Sequence, residues 1–290
     1  MDPPSLCPEN ATESSGGSRT LVRNIDICVT FDLWETLIID EPELDVARGR
    51  LRCEGMHRVL SSSGIELPLS QIKRAYSDSA HLLQAIWKRY EELSTLEQVQ
   101  MILKNASGGA ISLPPDPDAV ERLVSSYVYP LVELPPRLNP DARPTLEGMR
   151  ERVKKIGLIS NTGRSPGTAS RSLIDKLGIL KFFDTTTFSN EIGCRKPAER
   201  IFIETTKQLG VDPANVVHIG DDPEADVWGA KRVGMRAFLF DYDVPDGFRR
   251  RPDSLFALSR SNRSIPDTEI NPDARIKSLK ESLELIDSLT

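Results

Sequence analysis

Apolar residues occur along the chain in short continuous runs, each followed by a stretch with helical spacing. The runs are rich in β-branched residues and lie at 25–31, 156–160, 216–220 and 237–240. Such runs are typical of strands buried on both faces of a sheet. Helices are predicted at 145–155, 170–177, 198–209 and 224–233, with a short strand at 183–188, a loop at 242–274 and a last helix around Leu279, Leu283 and Ile286. This alternation predicts an α/β fold with a Rossmann-like parallel sheet.

The pattern changes between residues 44 and 135, where apolar side chains recur every three or four positions. The two clearest stripes contain Ile72, Tyr76, Ala80, Leu83, Trp87 and Tyr90, and Val120, Leu123, Val124, Tyr127 and Leu131. This spacing predicts amphipathic helices. The block is too long for an ordinary connection, and it follows the first strand, beside the usual ligand crevice of a parallel sheet. We therefore expect 44–135 to be an inserted helical cap that acts as a lid on a core formed by 23–43 and 136–290.

Composition limits the possible partners and locations. The formal net charge is -6, which gives no support for binding to nucleic acid or to a membrane surface. No apolar run approaches the roughly 18 residues of a membrane helix, and no secretory signal precedes the first strand. The four cysteines lack the spacing of a metal site and predict free thiols in the cytoplasm. Residues 1–22, rich in Pro, Ser and Gly, predict a disordered tail, and Arg249–Arg251 a solvated loop.

Polar side chains follow three of the predicted strands. The first strand ends at Asp32, the second at Ser160-Asn161-Thr162, and the strand at 216–220 ends at Asp221-Asp222, with Asp226 one turn later. Lys196 precedes a predicted helix. Because parallel strands end at one edge of their sheet, we expect all these groups to lie close together.

Several carboxylates at one edge repel each other unless a cation or protons compensate them. Their hard oxygen atoms suit Mg²⁺, which in turn favours a phosphate oxygen as a further ligand. Ser160 and Lys196 could neutralise the remaining charge of that phosphate. The residues thus predict attack by Asp32 on the phosphorus of a small phosphorylated substrate, through an aspartyl-phosphate intermediate.

Four motifs in this order resemble those of the haloacid dehalogenase-like (HAD) hydrolase superfamily, in the subgroup with a helical cap after the first strand. They are FDLWETL, ISNTG, CRKP and HIGDDPEADVWGAKRVGM, and the resemblance spans about residues 25–290. It implies Asp32 as nucleophile, Ser160 as phosphate-binding hydroxyl and Lys196 as stabilising lysine. It also implies substrate contacts from Thr36 and Asn161. The implied Mg²⁺ ligands are Asp32, the backbone carbonyl of Trp34, Asp221, Asp226 and, as a ligand or a neighbouring group, Asp222.

Trp34 departs from the family's phosphatase pattern. Phosphatases of this family carry an acid there, which protonates the leaving oxygen and later activates water, whereas an indole is only a hydrogen-bond donor. The family's haloacid dehalogenases also lack this acid and carry an aromatic residue, since a departing halide needs no proton. They work without metal, however, and the carboxylate cluster around Asp221 disfavours that chemistry. We therefore expect a metal-dependent phosphatase-like hydrolase.

Three alternatives stay open at this point. The chain could be a 2-haloacid dehalogenase, or a weak or inactive member that binds a phosphorylated ligand or a partner. Glu35 could replace the missing acid, although a solvated loop position is the simpler interpretation. Asp222, followed by Pro223, could begin a helix instead of binding metal. Asp226 could only orient Lys196 or a metal-bound water. Candidate substrate-binding arginines in the cap are Arg48, Arg50, Arg52 and Arg58. No role is assigned to His57, His81 or His218.

Overall fold

The computed structural model describes residues 27–242, 255–260 and 264–289. The predicted tail at 1–22 and the Arg249–Arg251 triplet lie outside these residues. The strands are β1 (Cys28–Phe31), β2 (Ile38–Ile39), β3 (Arg137–Leu138), β4 (Ile156–Ser160), β5 (Thr185–Phe188), β6 (Val216–Gly220), β7 (Arg236–Phe240) and β8 (Ala274–Ile276). Among the described residues, no helix has the length and apolar character that a bilayer crossing requires.

Six strands form one parallel sheet in the order β5-β4-β1-β6-β7-β8. The predicted parallel sheet is thus confirmed. Strand β1 pairs with β4 on one side and with β6 on the other. Because the chain order reverses across β1, the residue that follows it lies at the switch point, where open sheets of this kind bind ligands. That residue is Asp32.

Helices cover both faces of the sheet. They are α6 (Ala142–Arg150), α7 (Gly167–Lys176), α8 (Ser189–Ile192), α9 (Glu199–Leu209), α10 (Gly229–Arg232) and α12 (Glu281–Ser288). A further helix, α11 (Leu255–Arg260), packs against the helix at Leu69–Trp87 instead. A π-helical segment, Pro223–Trp228, precedes α10. Two buried apolar clusters contain alternate residues of the strands, such as Val29 in one cluster and Cys28 in the other. A sheet covered on both faces explains why its strands read as continuous apolar runs.

The prediction of a loop at 242–274 was wrong in part. This stretch contains α11 and a short 3₁₀ turn, Asp267–Glu269, and it ends at the first residue of β8. Strand β8 has only three residues and lies at the edge of the sheet, paired with β7. So short an edge strand forms through its pairing partner and leaves no periodic signal in the sequence.

The stretch between β2 and β3 is helical, as predicted for 44–135. It contains α1 (Pro42–Ser62), α2 (Leu69–Trp87), α3 (Thr95–Ala106), α4 (Pro117–Val128) and α5 (Pro130–Glu133). Local signals begin some of these helices: Ser94 and Glu97 form a capping box at α3, and Asp116 caps α4 before Pro117.

Helices α1 to α4 bury an apolar cluster of their own, which includes Met56, Ile72, Ile102 and Leu123. The segments that enter and leave this block pair as β2 and β3 in an antiparallel ribbon. Division of the chain at 44 and 135 stays a prediction, but the helical block has its own core and lies against the edge of the sheet where Asp32 is placed.

Candidate active site

Three carboxylates meet at the carboxyl edge of the sheet. Asp32 follows β1, and its backbone N–H donates to Ile219 O at 2.9 Å, which extends the pairing of β1 with β6 past the end of the strand. Asp221 follows β6 directly. Oxygen atoms of Asp32, Asp221 and Asp226 lie within 4.8 Å of one another. The expected convergence of strand ends is therefore observed for these three residues.

Lys196 lies between two of these carboxylates. Its Nζ is 2.6 Å from Asp32 Oδ1 and 2.6 Å from Asp226 Oδ1, and it also donates to Ile159 O at 2.7 Å. Asn161 holds the backbone of this lysine: its Oδ1 accepts from Lys196 N at 2.7 Å and its Nδ2 donates to Lys196 O at 3.0 Å. Asn161 borders the cavity described below, but its amide is directed at the chain, so it positions Lys196.

Asp226 is supported from behind by a histidine to which sequence reasoning gave no role. His218 Nε2 lies 3.1 Å from Asp226 Oδ1, and its Nδ1 lies 2.9 Å from Thr30 Oγ1. The other oxygen of Asp226 accepts from Asp222 N at 2.9 Å. In the sequence, this contact could have been suspected only because His218 is a polar residue inside the apolar strand β6. Its position in that strand pairs with Thr30 of β1.

Asp222 begins the π-helical segment. Its Oδ1 accepts from Glu224 N and Ala225 N, each at 2.9 Å, as expected of a capping residue before a proline. Asp222 borders the cavity, but it is not among the three carboxylates that come together in the described structure. The capping interpretation therefore accounts for its geometry better than the ligand interpretation.

Two further predicted residues contribute indirectly. Thr36 Oγ1 donates to Asp221 Oδ1 at 3.3 Å, so this hydroxyl orients a carboxylate. Ser160 ends β4, is fully buried, and is not among the side chains that line the cavity, which instead follow it in the chain from Asn161 to Ser165. Its role in binding phosphate stays a prediction.

The Trp34 side chain is half-buried and lines the same cavity as Asp32. Its neighbour Glu35 takes a left-handed conformation with φ 60. The Glu35 carboxylate accepts from Tyr242 OH at 2.9 Å and from Asp40 N at 3.4 Å. Glu35 is only 5% exposed, so the solvated position was wrong. Glu35 is also not among the residues that line the cavity, in which the substitute acid would be needed.

Burial raises the pKa of Asp32 to about 7, because the neighbouring Asp226 and Asp221 add to the desolvation cost and Lys196 offsets only part of it. Burial would also raise the pKa of Asp226, but Lys196 and His218 outweigh it and hold that pKa below its ordinary value. Asp32 and Asp226 flank one ammonium group, and ionisation is less favourable for Asp32 than for Asp226. A divalent cation next to Asp32 would favour its ionised form.

The three carboxylates fit a Mg²⁺ site. Their donors are all oxygen, and they belong to a group of side chains close enough to share one ion. Asp32 and Asp221 are the better candidates, since both oxygens of Asp226 already accept hydrogen bonds from described residues. A bound Mg²⁺ would supply positive charge beside the reacting group.

A cavity of about 660 Å³ lies between the helical block and this edge of the sheet. Its basic lining residues are Arg48, Arg52, Lys88, Arg164, Arg195 and Lys196, and its aromatic ones are Trp34, Trp87 and Tyr90. Of the four candidate cap arginines, Arg48 and Arg52 border the cavity, whereas Arg50 and Arg58 are exposed elsewhere. Trp87 and Tyr90, predicted only from their helical stripe, line its wall.

Known proteins resemble this chain in sequence. The family profile of haloacid dehalogenase-like hydrolases matches residues 28–234, and a HAD-hydrolase-like profile matches residues 193–281. A glyceraldehyde 3-phosphate phosphatase of Methanopyrus kandleri is 30% identical over 247 residues, which cover 80% of this chain and 96% of that protein. A phosphoserine phosphatase of Thermus thermophilus is 27% identical over 81% of this chain and 83% of its own length.

Solved structures show the same fold. A 2-haloacid dehalogenase from Pseudomonas syringae superposes with a TM-score of 0.61 at 20% identity and covers 91% of this chain and 99% of its own. A HAD-hydrolase from Bacillus subtilis bound to magnesium superposes with a TM-score of 0.55 at 17% identity, over 90% of this chain and 98% of its own. At such identities the likeness concerns the fold. Sequence profile, relatives and fold together show that the chain belongs to the haloacid dehalogenase-like hydrolase superfamily.

Proposed function

We propose that this hydrolase is a Mg²⁺-dependent phosphatase that cleaves a small phosphorylated substrate through an aspartyl-phosphate at Asp32. The observation that carries the proposal is the contact of Asp32 with Lys196 beside Asp221, in a cavity that both basic and acidic side chains line. The phosphatases named among the relatives support the same chemistry, since one of them aligns with 80% of this chain. A cytoplasmic location stays a prediction.

In the proposed reaction, an Asp32 oxygen attacks phosphorus and the bond from phosphorus to the leaving oxygen breaks, with its electron pair staying on that oxygen. Water then attacks the aspartyl-phosphate, which releases phosphate and restores the Asp32 carboxylate. Lys196, fixed by Asn161 and Asp226, would balance negative charge on the phosphoryl oxygens. Mg²⁺ would be held by Asp32, Asp221 and the Trp34 carbonyl and would supply further positive charge.

The proposed mechanism has no acid at position 34. Trp34 lines the cavity, but its indole N–H cannot exchange a proton with the leaving group. Loss of a general acid typically costs about 10²–10⁴ in rate. Leaving groups that are stable as anions would suffer least, so aryl and acyl phosphates are the favoured substrate types on chemical grounds.

The position of Trp34 favours a second candidate function, that of a 2-haloacid dehalogenase. An aromatic side chain faces the cavity at the place where a phosphatase would carry its acid, and displacement of halide needs none. Against it stand the three clustered carboxylates, which would repel an anionic haloacid in the absence of a cation. The third possibility is a member of the family that binds a phosphorylated ligand without turnover.

One screen separates these candidates. Phosphate release from a panel of phosphomonoesters is measured with Mg²⁺ and with a chelator, and halide release from 2-chloropropionate is measured in parallel. We expect phosphate release that needs Mg²⁺, no halide release, and no activity in Asp32→Asn. Halide release independent of metal would replace the proposal with the dehalogenase, and absence of both products would leave only the binding function.

A further inference from the structure

Four arginines border the cavity, and their charges are compensated in two different ways. Arg48 forms an ion pair with the buried Asp40, and Arg195 forms one with the buried Glu92 at 3.0 Å. Within the described structure, no carboxylate lies within ion-pair distance of Arg52 or Arg164. Asp45, which also lines the cavity, approaches Arg48 at 3.9 Å and acts on the charge of Arg164 from beyond ion-pair distance.

Arg52 projects from α1 and is surrounded by neutral groups. Its Nε donates to Tyr127 O at 2.9 Å, its Nη1 to Tyr76 OH at 3.2 Å and its Nη2 to Ser165 Oγ at 3.0 Å. These bonds occupy three of the five N–H groups of the guanidinium. Arg52 is 3% exposed.

Arg164 comes from the opposite side, in the loop that follows β4. Its Nη1 donates to Ser79 Oγ and Tyr127 OH, and its Nη2 donates to Tyr76 O, each at 3.0 Å. The guanidinium also lies 3.9 Å from the centre of the Tyr76 ring. Arg164 is 8% exposed. Both arginines thus contact the same two tyrosines, and both retain unused donors.

Two buried cations without an ion-paired carboxylate are costly, because neutral partners, aromatic rings and the more distant Asp45 replace only part of their hydration. The cost is removed when an anion enters the cavity beside them. The contrast with Arg48 and Arg195 is informative, since those two arginines line the same cavity and each has an acid within ion-pair distance. Arg52 and Arg164, which have no ion-paired acid, are therefore the arginines of this cavity wall that can best accept an anionic ligand.

We propose that Arg52 and Arg164 bind a second anionic group of the substrate. The inference rests on the proposed function for the position of the first one, the phosphoryl group at Asp32. The substrate class is then a phosphomonoester that also carries a carboxylate or a further phosphate. Guanidinium groups suit either, because each can bind two oxygens of a planar carboxylate or of a phosphate.

The binding test uses ligands that differ in one group. In the Asp32→Asn background, which prevents turnover, the Kd values of 3-phosphoglycerate and glycerol 3-phosphate are compared by titration. They share the phosphate and differ in a carboxylate that replaces a hydroxymethyl group. A second pair, fructose 1,6-bisphosphate and fructose 6-phosphate, tests a further phosphate in the same way. We expect at least about ten-fold tighter binding of the doubly anionic member of one pair, as for one charge-assisted hydrogen bond. The preferred pair identifies the second group.

Substitution then assigns the preference to these residues. Arg52→Met and Arg164→Met, each added to Asp32→Asn, should remove it. Arg50→Met is the matched control, because Arg50 lies two residues from Arg52 on α1 and its side chain is 65% exposed. Equal affinities within both pairs, or a preference that survives both substitutions, would overturn the proposal. If a Met variant does not fold, the ligand comparison with both arginines intact still decides whether the protein prefers a doubly anionic ligand.

The two proposals fail separately. A preference for a doubly anionic ligand in a protein that releases no phosphate would refute the proposed function and leave the second anion site standing. Phosphate release at equal kcat/KM for both members of each pair, together with equal affinities, would refute only the second anion site.

Discussion

The ammonium group of Lys196 lies 2.6 Å from Oδ1 of Asp32 and at the same distance from Oδ1 of Asp226. The buried Lys196 thus contacts both the proposed nucleophile, Asp32, and Asp226, which orients the lysine. Burial alone would lower the pKa of Lys196, but the two carboxylates raise it above its ordinary value. The lysine therefore stays charged at neutral pH.

Replacement of the nucleophile should abolish turnover without loss of the fold. In Asp32→Asn the amide cannot form the aspartyl-phosphate, so phosphate release should fall below detection at saturating Mg²⁺. Circular dichroism and thermal melting serve as the control for folding. Retention of most of the activity in a well-folded variant would contradict the mechanism.

The same substitution should change stability in a manner that depends on pH. The folded-state pKa of Asp32 is about 7, above its ordinary value of 3.8, so the folded protein holds this proton more tightly than the unfolded chain does. The stability from protonation is complete below about pH 4 and is lost as pH rises through 7. Without metal, Asp32→Asn should therefore gain stability relative to the unmodified protein across this window and keep that gain above it.

The measurement is the free energy of unfolding of both proteins by denaturant, in chelator, at several values between pH 4 and pH 8. A difference between them that stays constant with pH, or that shrinks as pH rises, would show that Asp32 ionises without cost in the folded state. Addition of Mg²⁺ at pH 8 should narrow the difference, since the ion stabilises the charged form.

Turnover should depend steeply on the leaving group. Trp34 cannot protonate a departing alkoxide, whereas a nitrophenolate leaves without a proton. We expect kcat/KM for 4-nitrophenyl phosphate to exceed that for simple alkyl phosphates by about 10² or more. Comparable rates for both types would mean that another group serves as the acid.

Restoration of the missing acid should weaken that dependence. In Trp34→Asp, hydrolysis of alkyl phosphates should rise, by up to about 10²–10⁴ if proton transfer limits the rate, and aryl phosphates should gain less. Glu35→Gln is the matched control in the same loop: Glu35 bonds to Tyr242 and Asp40 N, so its substitution should leave the ratio of aryl to alkyl rates unchanged. A fall in alkyl turnover in Glu35→Gln would instead identify Glu35 as the substitute acid.

Local patterns predicted a large part of this molecule. Continuous apolar runs indicate strands buried on both faces, and their alternation with helices predicts a parallel sheet, whose strands end at one edge. The meeting of Asp32, Asp221 and Lys196 could thus be predicted from chain order alone, as could the helical block after β1. The capping geometry of Asp222 was also open to prediction, because Pro223 cannot continue a strand and favours the start of a helix.

The rest was decided by contacts between residues far apart in sequence. His218 contacts Asp226 from β6, which pairs with β1 in one register. The buried Glu35 accepts a hydrogen bond from the hydroxyl of Tyr242, 207 positions later. Arg52 and Arg164, 112 positions apart, share Tyr76 and Tyr127 only once the helical block has packed against the sheet. A sequence shows which side chains carry charge and which residues repeat along a helix or strand. Which charges find a counter-ion, and which remain for a ligand, depends on packing across the whole chain.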